Sequence, residues 1–503
     1  MENKPVRKVV IAGGGTAGWI AAAALTHQLG DLIQVTLVES EEIGIIGVGE
    51  STVPPIRVFN RLLRIDEQDF MRATAATFKL GILFENWARV GDRYMHPFGR
   101  HGKSTWLCEF HHFWLRSQEK GSTAELGEYC VEWVAAREGR FATSRDSEIN
   151  YAYHIDASLY ARYLRKFSEA RGVKRVEGKI KAVNLNPQSG FIESLTLQSE
   201  EILEGDLFID CTGFRGLLIE QALHTGYEDW SHWLPCDSAV AVQTETVGPA
   251  VPYTKAIAHE AGWRWQIPLQ HRVGNGLVYC SRYLPDDEAK ARLLAQIDGK
   301  PLRPPMTLKM RTGRRRNTWN KNCVALGLAS GFVEPLESTS IHLIMTGVTR
   351  LMQLFPFDGI QQSFVDHYNE LTRTEIESVR DFIVLHYYAN EREEPFWRHC
   401  REIEIPASLA RRIELFRDGA HAWQGDGELF RVDSWAEVML GQRIRPKHYH
   451  PSAATISDAE LTQLLNNVRA SIARSVASLP SQNEFISHYC KASSDVWGDR
   501  PAQ

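Results

Sequence analysis

Apolar residues recur with three different periods along the chain. Lys8–Ala12 (KVVIA) and Gln34–Glu39 (QVTLVE) are short β-branched runs bounded by glycine and polar residues, the pattern of buried strands. Between them Ala17–His27 is alanine-rich and reads as a helix, so the chain opens as β-α-β. A later run, DLFIDCTGFRG (206–216), gives another strand that ends at Asp210, Thr212 and Gly213. GWRWQIPL (262–269) alternates as a strand does, which places Trp263 and Trp265 on one side; its plain reading is a packed core strand. ESTSIHLIMTGVTRLM (337–352) predicts a helix opened by Ser338 or Thr339.

Past residue 350 the period is mainly helical, with the clearest helices over Gln361–Tyr388 and Asp458–Leu479. The latter opens on a Ser457-x-x-Glu460 capping box, carries Leu461, Leu464, Leu465, Val468 and Ile472 on one face, and stops at Pro480. REIEIPASL (401–409) and RIRPKHYHPSA (443–453) read as connections, and ASSDVWGDRPAQ (492–503) as a frayed tail. The fold class is α/β. A nucleotide-binding domain with mixed sheets is expected over residues 1–350, joined to a mainly helical domain over 351–503 that closes the substrate side.

Composition narrows this picture. A chain of 503 residues exceeds what one core usually supports, and 57 basic against 62 acidic residues leave no nucleic-acid surface. The run Arg314-Arg315-Arg316 is expected on a solvated or loosely paired face. Eight cysteines without a C-x-x-C pair read as reduced thiols of a cytoplasmic protein, with neither a zinc site nor a disulfide framework. Trp106, Phe110, Phe113 and Trp114 are assigned mainly to core. The apolar stretch Val9–Leu25 behind basic residues invites a signal peptide or a membrane span, but its glycines have a better explanation.

GGGTAG supplies G-x-G-x-x-G as Gly13, Gly15 and Gly18, after a strand and at the start of a helix. Gly13 makes the tight turn, Gly15 lets the backbone approach a pyrophosphate, and Gly18 lets helix and strand pack closely. With Thr16 and Ala17, the helix N-terminus presents amides to the anion. Glu39, ending the second strand, accepts ribose hydroxyls and argues for FAD or NAD over NADP. GVGEST (47–52), with Glu50, is a second glycine-rich turn, and no further strand-G-x-G-x-x-G-helix unit offers a separate nicotinamide site. The D-x-T-G ending at 210–213 resembles the second nucleotide contact of FAD-containing monooxygenases.

Four ordered motifs then resemble the flavin-dependent halogenases of the tryptophan halogenase family: G-x-G-x-x-G, FKLGILFENW with Lys79, W-x-W-x-I-P as Trp263, Trp265, Ile267 and Pro268, and GLASGFVEPLESTSIHLI with Glu337 to Ile341. The similarity is good from residue 7 to about 390 and thins beyond. The resemblance implies that a separate NAD(P)H-dependent flavin reductase supplies reduced FAD. With oxygen and chloride or bromide, hypohalous acid forms and crosses a tunnel to an aromatic substrate, the tryptophan pair screening substrate from the flavin side. It implies Lys79 and Glu337 as the catalytic pair, Thr339 and Ser340 as the halide cradle, Ile341 against flavin, and His96 and Phe98 of RYMHPFGRHG against the substrate ring. Neither a membrane nor a nucleic acid is a partner, and a homodimer stays open.

Physical chemistry bears on two of these residues. Lysine acts either by carrying halogen as a chloramine, which needs burial to lower its pKa, or by donating a hydrogen bond from its ammonium, which does not. Glu337 can stabilise a cationic ring intermediate, accept its proton, orient the lysine, or merely charge a helix N-terminus. Tryptophan-specific members usually carry glycine where this chain has Ser340. They also hold free tryptophan with a tyrosine pair, a glutamate and a Phe-Trp pair. Residues 415–441 contain neither aromatic pair; Phe430 and Trp435 are left to line the site. The substrate expected is therefore an indole other than free tryptophan, in a subgroup lacking that clamp. The rivals are an FAD-dependent aromatic monooxygenase and a non-catalytic flavin-binding protein.

Overall fold

The computed structural model describes residues 4–42, 49–144 and 148–498. Lys8–Ala12 lies inside a six-stranded sheet, flanked in parallel by Leu207–Asp210 and Gln34–Glu39, with Ile11 opposite Ile209 and Leu37. Lys174–Glu177 extends one side in parallel; Cys323–Ala325 extends the other and carries the antiparallel edge strand Trp319–Asn320. Parallel strands are covered on both faces, which is why these runs are continuously apolar. The alanine-rich helix Gly15–Leu29 is buried from Gly18 to Thr26 between helices Ala157–Glu169 and Ser340–Gln353. That burial accounts for the apolar N-terminal stretch, and no helix among the described residues is long and apolar enough to cross a membrane.

A second, seven-stranded sheet runs in the order Met306–Lys309, Ser238–Thr244, Val273–Tyr279, Gly262–Pro268, Thr254–His259, Gly81–Glu85 and Arg93–Pro97. Trp265 stands opposite Gly276 here, and a Cβ on that glycine would meet the Trp265 ring at 1.9 Å. The indole fits because its cross-strand neighbour has no side chain. A small third sheet pairs Ala152–Asp156 with Gly49–Ser51 on one side and Thr77–Lys79 on the other, setting Lys79 opposite Ala152. The α/β architecture with mixed sheets and a mainly helical C-terminal region is as expected.

The C-terminal helices begin with Gln362–Tyr388, whose second half from Val379 to Tyr387 is buried throughout. It packs in one core with Trp87, Trp263 and Trp435. Asp458–Ala477 has the expected Ser457–Glu460 capping box, but Leu464 faces solvent while Leu461, Leu465 and Ile472 are buried.

Three other expectations need correction. Trp106 is 92% exposed, so only Phe110, Phe113 and Trp114 of that cluster are core. Arg314 and Arg315 are buried in ion pairs with Glu228, Glu377 and Glu220, on a short strand paired on both edges; only Arg316 is solvated. The C-terminal segment is not frayed from its start, since Ala492 packs on Ala75 and Leu159, with Val496 beside them. The Ser340–Gln353 helix opens on Thr339, one of the two residues expected there, without a side-chain capping bond, while Ser338 adopts a left-handed conformation. A short 3-10 turn, Pro335–Glu337, precedes them.

Candidate active site

At the carboxyl ends of the parallel strands lies a cavity of about 1070 Å³, the place where open α/β sheets take ligands. Gly13, Gly15, Thr16, Ala17, Glu39 and Glu50 line one part of it; Trp263, Trp265, Ile267, Ser338, Ser340 and Ile341 line another. Gly13 has φ +97°, and a Cβ there would lie 2.4 Å from the Cys211 carbonyl oxygen. Gly18 packs so closely that a Cβ would meet the Gly13 oxygen at 2.1 Å, whereas one at Gly15 would meet nothing within 4 Å. The open side of the loop is thus the one facing the cavity, as a pyrophosphate needs. Gly14 is a further requirement that the spacing motif does not express, since a Cβ would fall 1.6 Å from Glu39 Oε2.

Glu39 is held in place before any ligand arrives. Arg175 Nε donates to its Oε1 at 2.7 Å and Trp19 Nε1 to its Oε2 at 3.2 Å. Asp210 does not reach the cavity: its carboxylate accepts from the amides of Thr212, Leu218 and Ile219, so the D-x-T-G ending shapes a turn and leaves Thr212 and Gly213 on the cavity wall. Burial raises the Glu50 carboxyl to about 7. Gly47 and Val48 of the second glycine-rich turn lie outside the described residues. This wall fits the dinucleotide end of FAD.

A second cavity, about 690 Å³, is lined by His96, Phe98, Glu337 and Phe430. His96 lies next to the end of the Arg93–Pro97 strand and Phe98 follows that strand; Phe430 stacks on Phe382 with ring centroids 3.7 Å apart. Trp435 packs edge-on to Phe382 and belongs to the core, not to the wall.

Lys79 is fully buried and lines neither cavity, but it touches one residue of each. Its Nζ donates to Ser338 Oγ at 2.8 Å, a residue of the larger cavity, and stands 4.9 Å from the Phe98 ring centroid, a residue of the smaller one. A third partner is the Thr52 carbonyl at 3.1 Å. Burial pulls the ammonium from its ordinary 10.5 down to about 7, with the Glu337 charge opposing. Beneath it His154 is bonded to Thr77 and Thr254 and is kept neutral by burial and by the lysine.

Glu337 is buried between two imidazoles, His96 Nδ1 at 2.8 Å and His386 Nε2 at 3.0 Å. Burial alone would raise its carboxyl; the two histidines outweigh it and hold the group at about 2. Three residues earlier Glu334 is equally buried, and its Oε2 accepts from Trp263 Nε1 at 2.9 Å and from the Tyr387 hydroxyl. Burial lifts this carboxyl to about 7, the two hydrogen bonds opposing. The loop from Glu334 to Ser340 is therefore pinned through both carboxylates to adjacent residues of one helix, His386 and Tyr387. Of the two residues expected to cradle halide, Ser340 reaches the larger cavity and Thr339 is buried, its hydroxyl without a partner among the described residues. An orphaned donor beside a helix N-terminus suits an anion.

Sequence reasoning missed Glu334, His154, His386, Ser338 as the lysine's partner and Thr52. Glu334 stands in the same EPLEST stretch as Glu337, so a second acid before that proline was the one local cue.

Comparison with known proteins agrees with this geometry. The tryptophan halogenase family model matches residues 8–458. The chain is similar to the structure of Xcc4156, a flavin-dependent halogenase from Xanthomonas campestris, with 52% identity, a TM-score of 0.96, and 97% of this chain and 99% of the other covered. It is similar to BrvH, a flavin-dependent halogenase from Brevundimonas sp. BAL3, with 43% identity, a TM-score of 0.92, and 96% and 99% covered. It is also 35% identical to the tryptophan 6-halogenase ThaL of Streptomyces albogriseolus over 97% of this chain and 99% of that one. With the family model matched over most of its length and such relatives aligned nearly end to end, the chain belongs to the tryptophan halogenase family of flavin-dependent enzymes.

Proposed function

We propose that this enzyme halogenates an electron-rich aromatic ring, an indole other than free tryptophan, using FAD reduced by a separate flavin reductase, oxygen, and chloride or bromide. The observation that carries the reading is Lys79, fully buried, bonded to Ser338 on the flavin side and facing Phe98 on the other. Reduced FAD, when bound, would activate oxygen, and oxygen would supply the two-electron oxidising equivalent that turns halide into hypohalous acid. Thr339 and Ser340 hold the halide; Trp263 and Trp265 close the flavin side with two rigid rings, Ile267 and Pro268 continuing their strand.

Lys79 receives the hypohalous acid. With a pKa near 7 both of its forms are populated at neutral pH, so the amine that takes up halogen and the ammonium that polarises it by a hydrogen bond are both available. His96, Phe98 and Phe430 hold the ring. The halogen passes to a ring carbon, the oxygen leaves as water, and the ring proton is taken by Glu337, whose ionised carboxylate first stabilises the positive charge on the ring. Support for excluding free tryptophan is the lining from the C-terminal segment, Leu429, Phe430, Arg431 and Ser434, which offers an ammonium group no acid.

Mass spectrometry of reactions containing the protein, FAD, an independent flavin reductase, NADH, oxygen and bromide or chloride, with indole or tryptophan, tests this. The halogen isotope pattern on indole, absent without the protein and weaker on tryptophan, is the expected result. A gain of one oxygen without halogen, or faster turnover of tryptophan than of indole at equal concentration, overturns it.

A further inference from the structure

The mouth of the smaller cavity has a composition that the halogenation chemistry does not require. One wall is helix Pro55–Leu62, whose Arg57, Val58, Arg61 and Leu62 line the cavity. Eight helical residues extend about 12 Å, longer than an indole ring needs. Val58 is 60% and Leu62 40% exposed, an apolar stripe presented to water beside an opening.

Charge on this mouth is one-sided. Among the described lining residues Glu337 is the only acid, and it is buried between His96 and His386. Of the four lining guanidiniums, Arg350 is neutralised by Glu375 at 2.6 Å and Arg431 donates to the carbonyls of Phe98 and Gly99. Arg57 lies 3.6 Å from the Tyr151 ring centroid and Arg61 is exposed; neither makes an ion pair with a described residue. Two positive charges without an ion pair to a described residue and an apolar stripe therefore share one helix face leading to the ring-binding residues.

We infer that the preferred substrate is an aromatic head carrying an extended tail that ends in an anionic group, such as a carboxylate, with the tail laid along Val58 and Leu62 and the anion met by Arg57 and Arg61. This rests on the proposed halogenase reading and adds the chemical class of its substrate. An amine-bearing indole is disfavoured at the same surface, because the ammonium meets two like charges and no free acid.

The test compares kcat/KM for indole-3-propionate, indole and tryptamine with bromide at low ionic strength. Expected is the order propionate, indole, tryptamine, with the propionate-to-indole ratio falling about fivefold in Arg61→Glu, as reversal of one exposed charge allows. Arg64→Glu, a charge reversal just past the same helix that does not line the cavity, should leave the ratio unchanged. Tryptamine turned over as well as propionate, a ratio unmoved by Arg61→Glu, or an equal fall in Arg64→Glu would each overturn the inference. If none of the three compounds is halogenated, the parent reading fails separately. Saturation-transfer NMR of indole-3-propionate against wild type and Arg61→Glu then still reads the charge preference: loss of signal in the variant supports the inference and equal signal refutes it.

Discussion

Replacing Lys79 with methionine should stabilise the protein in acid while abolishing halogenation. The side chain is fully buried, and burial lowers its pKa from 10.5 to about 7. Between those values the unfolded chain holds a proton that the folded chain has lost, so stability rises with pH across the window and the lysine's penalty is full below it. At ~1.4 kcal/mol per tenfold, the penalty is about 5 kcal/mol near pH 6 and about 2 kcal/mol near pH 9. Methionine is close to lysine in length and carries no charge, so Lys79→Met removes both penalties. It also strips Ser338 Oγ and the Thr52 carbonyl of a donor, but that loss is the same at both pH values and drops out of their difference. Urea unfolding of both proteins at each pH should show the variant gaining about 3 kcal/mol more near pH 6 than near pH 9. A stability difference that is flat with pH would refute the reasoning, since it would mean that the lysine keeps its ordinary protonation when folded.

Two more perturbations address the barrier and the cofactor. Glu334→Ala leaves Trp263 Nε1 and the Tyr387 hydroxyl without their shared buried acceptor, which should cost about 2–6 kcal/mol, and it should raise hydrogen peroxide released per halogenated product. Glu334→Gln, which keeps an acceptor oxygen, should show neither effect; a peroxide yield unchanged in Glu334→Ala would separate Trp263 from the barrier. Gly15→Ala should still fold, because its Cβ meets nothing within 4 Å, though φ of +68° strains it by about 1 kcal/mol. FAD affinity, read by fluorescence quenching, should fall about tenfold; unaltered affinity would mean the cofactor's phosphates do not approach this loop.

How far the site was legible depends on how local each requirement is. The β-α-β opening, the glycines and Glu39 are set by neighbours in sequence, and each was found where the spacing put it. Whether Lys79 is buried was left open by its two possible roles; it is fully buried, and one of its partners, Ser338, comes from more than 250 residues away. Of the two residues expected to open the following helix, Thr339 does so and Ser338 does not. Its hydroxyl is turned to Lys79 by a left-handed backbone that local propensity does not foresee. Arg314 and Arg315 look like a solvated run until Glu220, Glu228 and Glu377 come from distant segments to pair with them.

The sequence by itself determined the class of fold, the dinucleotide loop, the family motifs in their order, and the residue types the chemistry needs. Those are properties of short windows: periodicity, backbone freedom at glycine, and an acid at a strand's end. Only the tertiary structure decided which groups are charged and which residues meet between the two cavities. The Glu337 carboxyl is held low by His96 from one sheet and His386 from a remote helix, while Glu334 three residues away is pushed up by burial. Equal carboxyls diverge because protonation responds to everything within a few ångströms, whatever its distance along the chain.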